Sequence, residues 1–216
     1  MKHLNKIIIA LVLIIGLNAQ AQDSKNPWAI SFGVNAIDTK TSAGGGHNFL
    51  DRHFSQPLAV KDNWNFLAPL SYVGVSRYLG DNFSVSVVGS FNKISKLVSF
   101  SPTALGHDSR GYIVTNPGDL MYYGLDASLN YSFKSILKSK NIDPSLSLGF
   151  GYSSLGDNGY GTVNPGAGVV YWVSGNVGLE LATKYKKSYG DRITAGVLDA
   201  PSVFQHSLGI VFKFDK

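Results

Sequence analysis

From Trp28 to Phe214 the sequence keeps sorting its residues by size with a period of two. In "NFSVSVVGSFNK", Phe83, Val85, Val87, Gly89 and Phe91 fall on one face of an extended chain. Asn82, Ser84, Ser86, Val88, Ser90 and Asn92 fall on the other. "LMYYGLDASLNYSF" sets Met121, Tyr123, Leu125, Leu129 and Tyr131 against Tyr122, Gly124, Asp126, Ser128 and Asn130. "SLSLGFGYS", "NVGLELATKYK", "WAISFGVN" and the terminal "FQHSLGIVFKFDK" repeat the pattern. In the last of these, Phe204, His206, Leu208, Ile210, Phe212 and Phe214 oppose Gln205, Ser207, Gly209, Val211 and Lys213. With the less regular "GTVNPGAGVVYWV" and with "PLSYVGVSRYL", this makes eight segments of roughly nine to eleven residues, the length of strand that crosses a bilayer at a tilt.

Any half-buried sheet alternates, so the side-chain sizes say more than the period does. A sheet face turned to water would carry Lys, Glu, Thr and Arg, whereas here the polar face is mostly Gly, Ser, Asn and Ala. Small residues suit the narrow interior of an eight-stranded barrel, which side chains nearly fill. The large apolar face then points outward to lipid, and lipid tolerates no open backbone edge. The expected fold is all-β: a closed, antiparallel, eight-stranded transmembrane β-barrel of up-and-down topology. A soluble periplasmic barrel with its apolar face inside is the alternative for the fold.

Composition agrees with a sheet protein. Charged residues are only 15% of the chain, Gly is 24 of 216, and there are 11 Tyr and 12 Phe. No stretch after the N-terminal segment is long and apolar enough to span a bilayer as a helix. That segment, "MKHLNKIIIALVLIIGLNAQAQ", has two lysines, an apolar run from Ile7 to Leu17 and an A-x-A site at Ala19-Gln20-Ala21. It is expected to be a secretory signal peptide over residues 1–21, leaving residues 22–216 as the barrel domain. The formal charge of +5 loses Lys2 and Lys6 with it, and what remains is too weak and scattered for nucleic acid. With no cysteine, neither disulfides nor thiolate metal sites are available, and no lipid-modified N-terminal Cys can form.

Connections alternate in length as well. "LGDN", "VSGN" and the basic "KSILKSKNI" are short, while Ile37 to Ala68, Lys93 to Asp119 and Lys187 to Val203 are long, with Leu155 to Tyr160 brief among them. Outer-membrane barrels place short turns in the periplasm and long loops outside the cell. Both termini are therefore expected in the periplasm of a Gram-negative envelope, with the last strand closing against the first.

The phrases "NPWAISFGVNA", "VSRYLGDNFSVSVVGSFNKI", "DLMYYGLDASLNYSF", "IDPSLSLGFGYSSLGDNGYGTVNPGAGVVYWVSGNVGLELATKYK" and "FQHSLGIVFKF" together resemble the N-terminal eight-stranded barrel of OmpA-like outer-membrane proteins, within the broad porin-like small-barrel family. The resemblance spans nearly the whole mature chain and rests on pattern and turn phrases. It implies contact with outer-membrane lipid and lipopolysaccharide. It also implies insertion by the barrel assembly machinery, reading the terminal strand through Leu208, Ile210, Phe212 and Phe214. Asp215 and Lys216 after the aromatic depart from the commonest ending. A larger departure is the lack of a peptidoglycan-binding domain after the barrel, so a cell-wall tether is not expected.

Chemistry inside such a barrel is limited to a few charges. Asp126, Glu180 and Lys184 fall on the small-residue face, and Arg77 joins them if Gly80-Asp81 is a two-residue turn pairing Leu79 with Asn82. Opposite charges in a confined lumen should pair. They form either a salt-bridge plug or a gate that rearranges to pass small ions.

Other clusters carry less. His47, Asp51 and His53 lie close in the first long loop without an element to fix them as a metal site. "SAGGGH" has neither a following helix nor a Lys-Ser/Thr, so it is not a phosphate cradle. His107, Asp108 and Ser109 adjoin in a loop, but neighbours along an extended chain face opposite ways, as do His206 and Ser207. No catalytic, cofactor or metal residue is assigned, and no enzyme activity is expected. Trp64, Tyr112 and Phe54 leave room for an envelope or extracellular partner through loops 37–68 and 93–119. The expected role is structural or surface-presenting, with a small diffusion channel as the first alternative and a membrane-embedded hydrolase or acyltransferase as the second.

Overall fold

In the computed structural model the described residues are 24–40, 59–189 and 202–214. Eleven strands form along them: β1 (Trp28–Asp38), β2 (Trp64–Phe66), β3 (Tyr72–Gly80), β4 (Phe83–Ile94), β5 (Leu97–Phe100), β6 (Tyr112–Thr115), β7 (Leu120–Ser132), β8 (Ile142–Leu155), β9 (Asn158–Trp172), β10 (Val177–Tyr189) and β11 (Val203–Phe214). Two single helical turns, α1 (Val60–Asn63) and α2 (Lys134–Leu137), sit in connections.

The eight long strands pair antiparallel with their neighbours in chain order. β11 then pairs with β1 along its whole length, from Trp28↔Phe214 to Asp38↔Phe204. The sheet is closed, up-and-down and antiparallel, and no barrel edge is left to pair with another chain. β2 continues the line of β3 and pairs with the end of β1 through Ala36↔Phe66 and Asp38↔Trp64. It occupies part of the stretch 37–68 expected to be loop. Similarly, the stretch 93–119 is not all loop: β5 and β6 form a hairpin of their own above the barrel.

Connections separate by end. At one, the turn end, lie Trp28, Phe214 and the links 81–82, 133–141 and 173–176. At the other, the loop end, lie 39–40, 59–63, 95–119 and the two-residue turn Gly156-Asp157. Residues 41–58 and 190–201, which include His47, Asp51, His53, Phe54 and the glycine run, lie outside the described residues, as does the N-terminal segment 1–21.

The size segregation read from the sequence is what the barrel uses. Leu125, Leu148, Leu181 and Leu208 point outward and are 55 to 58% exposed. On the inner face Ser90, Ser128, Ser153 and Asn164 are buried. Aromatic residues cluster on the outer surface towards both ends. Phe83, Tyr131 and Phe133 meet edge to face in sequence near the turn end, and near the loop end Trp64, His206 and Phe204 stack in sequence, with Tyr185 tilted against Phe204. An apolar band with aromatic clusters towards both ends is the kind of surface that a bilayer solvates.

One register differs from the sequence expectation. The β3–β4 turn is centred on Asp81 and Asn82, both at positive φ (47° and 67°), a conformation that Asp and Asn tolerate. A bulge between Tyr78 and Gly80 then shifts the pairing by one residue, giving Tyr78↔Ser84 and Arg77↔Val85. Arg77 thus shares the outer face with Val85. It is exposed and lies over the Trp28 ring, 5.3 Å from its centroid. The assignment of Arg77 to the lumen is corrected: a one-residue slip in a strand moves every side chain to the other face.

Candidate functional site

The lumen is built in layers. Nearest the loop end an apolar cluster fills it, made of Ile37, Ile94, Tyr122, Leu155, Tyr160 and Val203 from six strands, each at most 5% exposed, with Leu120 packed against them. Beneath lies an ion pair. Lys186 Nζ donates to Asp126 Oδ1 at 2.8 Å and to Oδ2 at 3.0 Å, and Asn164 Nδ2 donates to Oδ1 at 2.8 Å. The side chains of Lys186 and Asp126 are 1% and 0% exposed. Tyr122 caps the pair, its hydroxyl sharing a hydrogen bond with Ser153 Oγ and its ring 5.6 Å from the ammonium. Glycine at 151 makes this packing possible, because a Cβ there would collide with the Asp126 carboxylate.

Below the pair the small residues leave space. A cavity of roughly 790 Å³ extends to the turn end past the link that carries α2. Its wall is rich in hydroxyls, including Ser31, Ser76, Ser86, Ser145, Ser147 and Ser207. Tyr72 reaches across it and donates to Glu180 Oε2 at 3.0 Å. That hydroxyl passes over Gly209, where any side chain would obstruct it. Lys184 also lines the cavity, and among the described residues no hydrogen bond or ion pair engages its ammonium.

Of the four charges expected in the lumen, Asp126, Glu180 and Lys184 do face inward and Arg77 does not. The pairing runs through a residue that was not singled out: Asp126 takes Lys186, and Glu180 takes the Tyr72 hydroxyl. Lys186 shares the inner face with Lys184 at strand period, a signal the sequence does carry. That Asn164 and Tyr72 complete the polar layers depends on contacts across the lumen. The terminal-strand residues Leu208, Ile210, Phe212 and Phe214 all lie on the outer face, and Phe212 stacks on Phe32 with ring centroids 5.9 Å apart.

Outside the lumen the remaining candidates are engaged elsewhere. His107 Nδ1 lies 2.6 Å from the Asp108 carbonyl oxygen, and Asp108 accepts from Arg110 and from the Tyr112 N–H, so the two side chains do not form a nucleophile-activating pair. His206 is on the outer face, 3.0 Å from Thr183 Oγ1 and stacked on Trp64. Tyr112 is buried beneath Lys40, whose ammonium sits 2.8 Å from the ring centroid.

No family model and no curated protein sequence matches this chain. Among solved structures, the outer membrane protein OprG from Pseudomonas aeruginosa superposes with a TM-score of 0.51 at 12% identity, spanning 91% of this chain and 100% of that one. The chain has the fold of the small outer-membrane β-barrels. Ail, the attachment invasion locus protein of Yersinia pestis, aligns over 88% of this chain and 99% of its own at 14% identity and a TM-score of 0.48. The N-terminal β-barrel domain of Pseudomonas aeruginosa OprF aligns over 88% and 98% at 13% identity and 0.46.

Proposed function

We propose that the chain is an integral outer-membrane barrel that does not conduct and whose role is structural or surface-presenting. The observation that carries this is the apolar cluster of Ile37, Ile94, Tyr122, Leu155, Tyr160 and Val203 stacked directly on the buried Asp126–Lys186 pair. An ion crossing the barrel would have to break the pair and then displace close-packed apolar side chains, each step costing several kcal/mol. The charges act as a plug. In this role the turn end and both termini face the periplasm, because the short links are gathered there. Leu208, Ile210, Phe212 and Phe214 offer the assembly machinery an apolar strand, and the girdled outer face contacts phospholipid and lipopolysaccharide.

The outward function falls to the loop end, through 37–68 and 93–119. There the β5–β6 hairpin is held up by Asn65, whose side chain accepts from the Ser95 and Lys96 N–H groups and donates to the Lys96 carbonyl. Its tip presents Leu105, 98% exposed, to a partner outside the cell.

The test is conductance. Protein refolded in detergent, with closure checked by the mobility difference between unboiled and boiled gel samples, is inserted into a planar bilayer. Silence is expected. Reproducible unitary steps that change in Lys186→Met or Lys184→Met would replace the plug with a gate and make the barrel a small diffusion channel.

A further inference from the structure

We infer that the cavity below the ion pair is a binding site for a small polyhydroxylated organic anion, which enters from the turn end and places its anionic group on Lys184. Three observations carry the inference.

The first is charge. The cations lining the cavity are Lys134, Lys138 and Lys140 at its mouth and Lys184 deep within it, and the acids are Asp143 and Glu180. Both acids are already served by neutral donors from the protein: Ser132 Oγ donates to Asp143, the Trp172 indole donates to Asp143 Oδ2 at 3.4 Å, and Tyr72 donates to Glu180. Lys184 has no such service among the described residues, although it sits on the same strand face as both Glu180 and Lys186. Asp126, the acid beyond it, is committed to Lys186 and Asn164. The lining therefore carries more cations than acids, and a desolvated ammonium with no hydrogen-bonded carboxylate favours an anion.

The second is chemistry of the wall. Serine hydroxyls both donate and accept, so the serines spread around this wall match ligand hydroxyls in either sense, while the valines between them can pack on a carbon chain. The third is size and access. Roughly 790 Å³ lies within the range of small-molecule sites. The apolar cluster blocks the loop end, and the lysines at the mouth draw anions in at the other.

That the solute comes from the periplasm rests on the orientation proposed above. Binding itself does not, and it is measured in detergent, without reference to conductance. Isotope-labelled protein is titrated with sodium gluconate at constant ionic strength, with glycerol 3-phosphate as a second anion, sorbitol as the neutral counterpart and sodium chloride as the salt control. Saturable shifts of the Ala182, Lys184 and Ser207 amides are expected with gluconate or glycerol 3-phosphate, and not with sorbitol or chloride. Lys184→Met should weaken the affinity at least tenfold, while Lys93→Met, at the exposed Asp119 pair, should leave it unchanged. Should Lys184→Met fail to close, Ala182→Met fills the same space without altering charge and should also abolish the shifts. The inference is overturned if neither anion saturates, if sorbitol binds equally well, or if both lumen variants titrate like the parent protein.

Discussion

Lys186 and Asp126 meet inside the barrel at 2.8 Å, on strands β10 and β7 that are not neighbours in the sheet, so the contact spans the lumen. Removing one partner leaves the other charge buried without compensation. Asp126→Asn and Lys186→Met should each lower stability by about 3–5 kcal/mol. The double variant should recover much of that loss, because both desolvation costs vanish together. Urea unfolding in lipid vesicles, followed by tryptophan fluorescence, measures the cycle; additive losses in the double variant would mean that the pair is not coupled.

The crossing of Tyr72 to Glu180 over Gly209 makes a prediction at the seam. A side chain at 209 meets the Tyr72 hydroxyl and the backbone of Phe32 on β1. Gly209→Val should therefore cost about 1–3 kcal/mol in overpacking. It should also slow closure, seen as a reduced fraction of gel-shifted protein after refolding. The milder Tyr72→Phe leaves the seam intact but strips the Glu180 carboxylate of its donor, and about 1–3 kcal/mol is the expected loss.

Asp108 predicts a pH response of the outer hairpin. Partial burial pushes its carboxyl up. The hydrogen bonds from the Tyr112 N–H and from the Arg110 side chain and N–H, with the guanidinium charge, outweigh this and hold it below the usual carboxylate range. A carboxyl depressed in the folded state contributes stability that is fully present above its unfolded value and is lost as pH falls through the folded one. The protection factors of the Gly111 and Tyr112 amides, exchange rates taken relative to an unstructured chain at the same pH, should thus be high at pH 7 and fall below about pH 4. In Asp108→Asn they should be low at both.

Arg77 predicts a contrast with the lumen lysines. Its cation–π contact with Trp28 lies on the outer face, so Arg77→Gln should cost only about 0.5–1 kcal/mol. It should leave both anion titration and bilayer recordings unchanged. A change in either would return Arg77 to the interior.

The strands, and which face of each is small, were legible in the sequence because strand period is a local property: Ser86 and Val87 point apart whatever the rest of the chain does. The same locality identified Asp126, Glu180 and Lys184 as inward-facing, and it placed Lys186 beside them. Closure also followed, since large residues such as Leu125 and Leu208 on the outer face call for lipid, and lipid forbids an open edge.

The tertiary structure alone decided what depends on register. A single extra residue at the Tyr78–Gly80 bulge turned Arg77 outward, and that bulge carries no signature within "VSRYLGDN". Which lysine meets Asp126, which residue satisfies Glu180, and which residues fill the space beneath the loop end are set by the stagger of eight strands around a closed ring. Each of those contacts joins positions far apart in the chain, and the offset between them accumulates from every turn and bulge in between. The sequence therefore determined the two faces of the barrel wall, and the closed ring determined which side chains meet across its lumen.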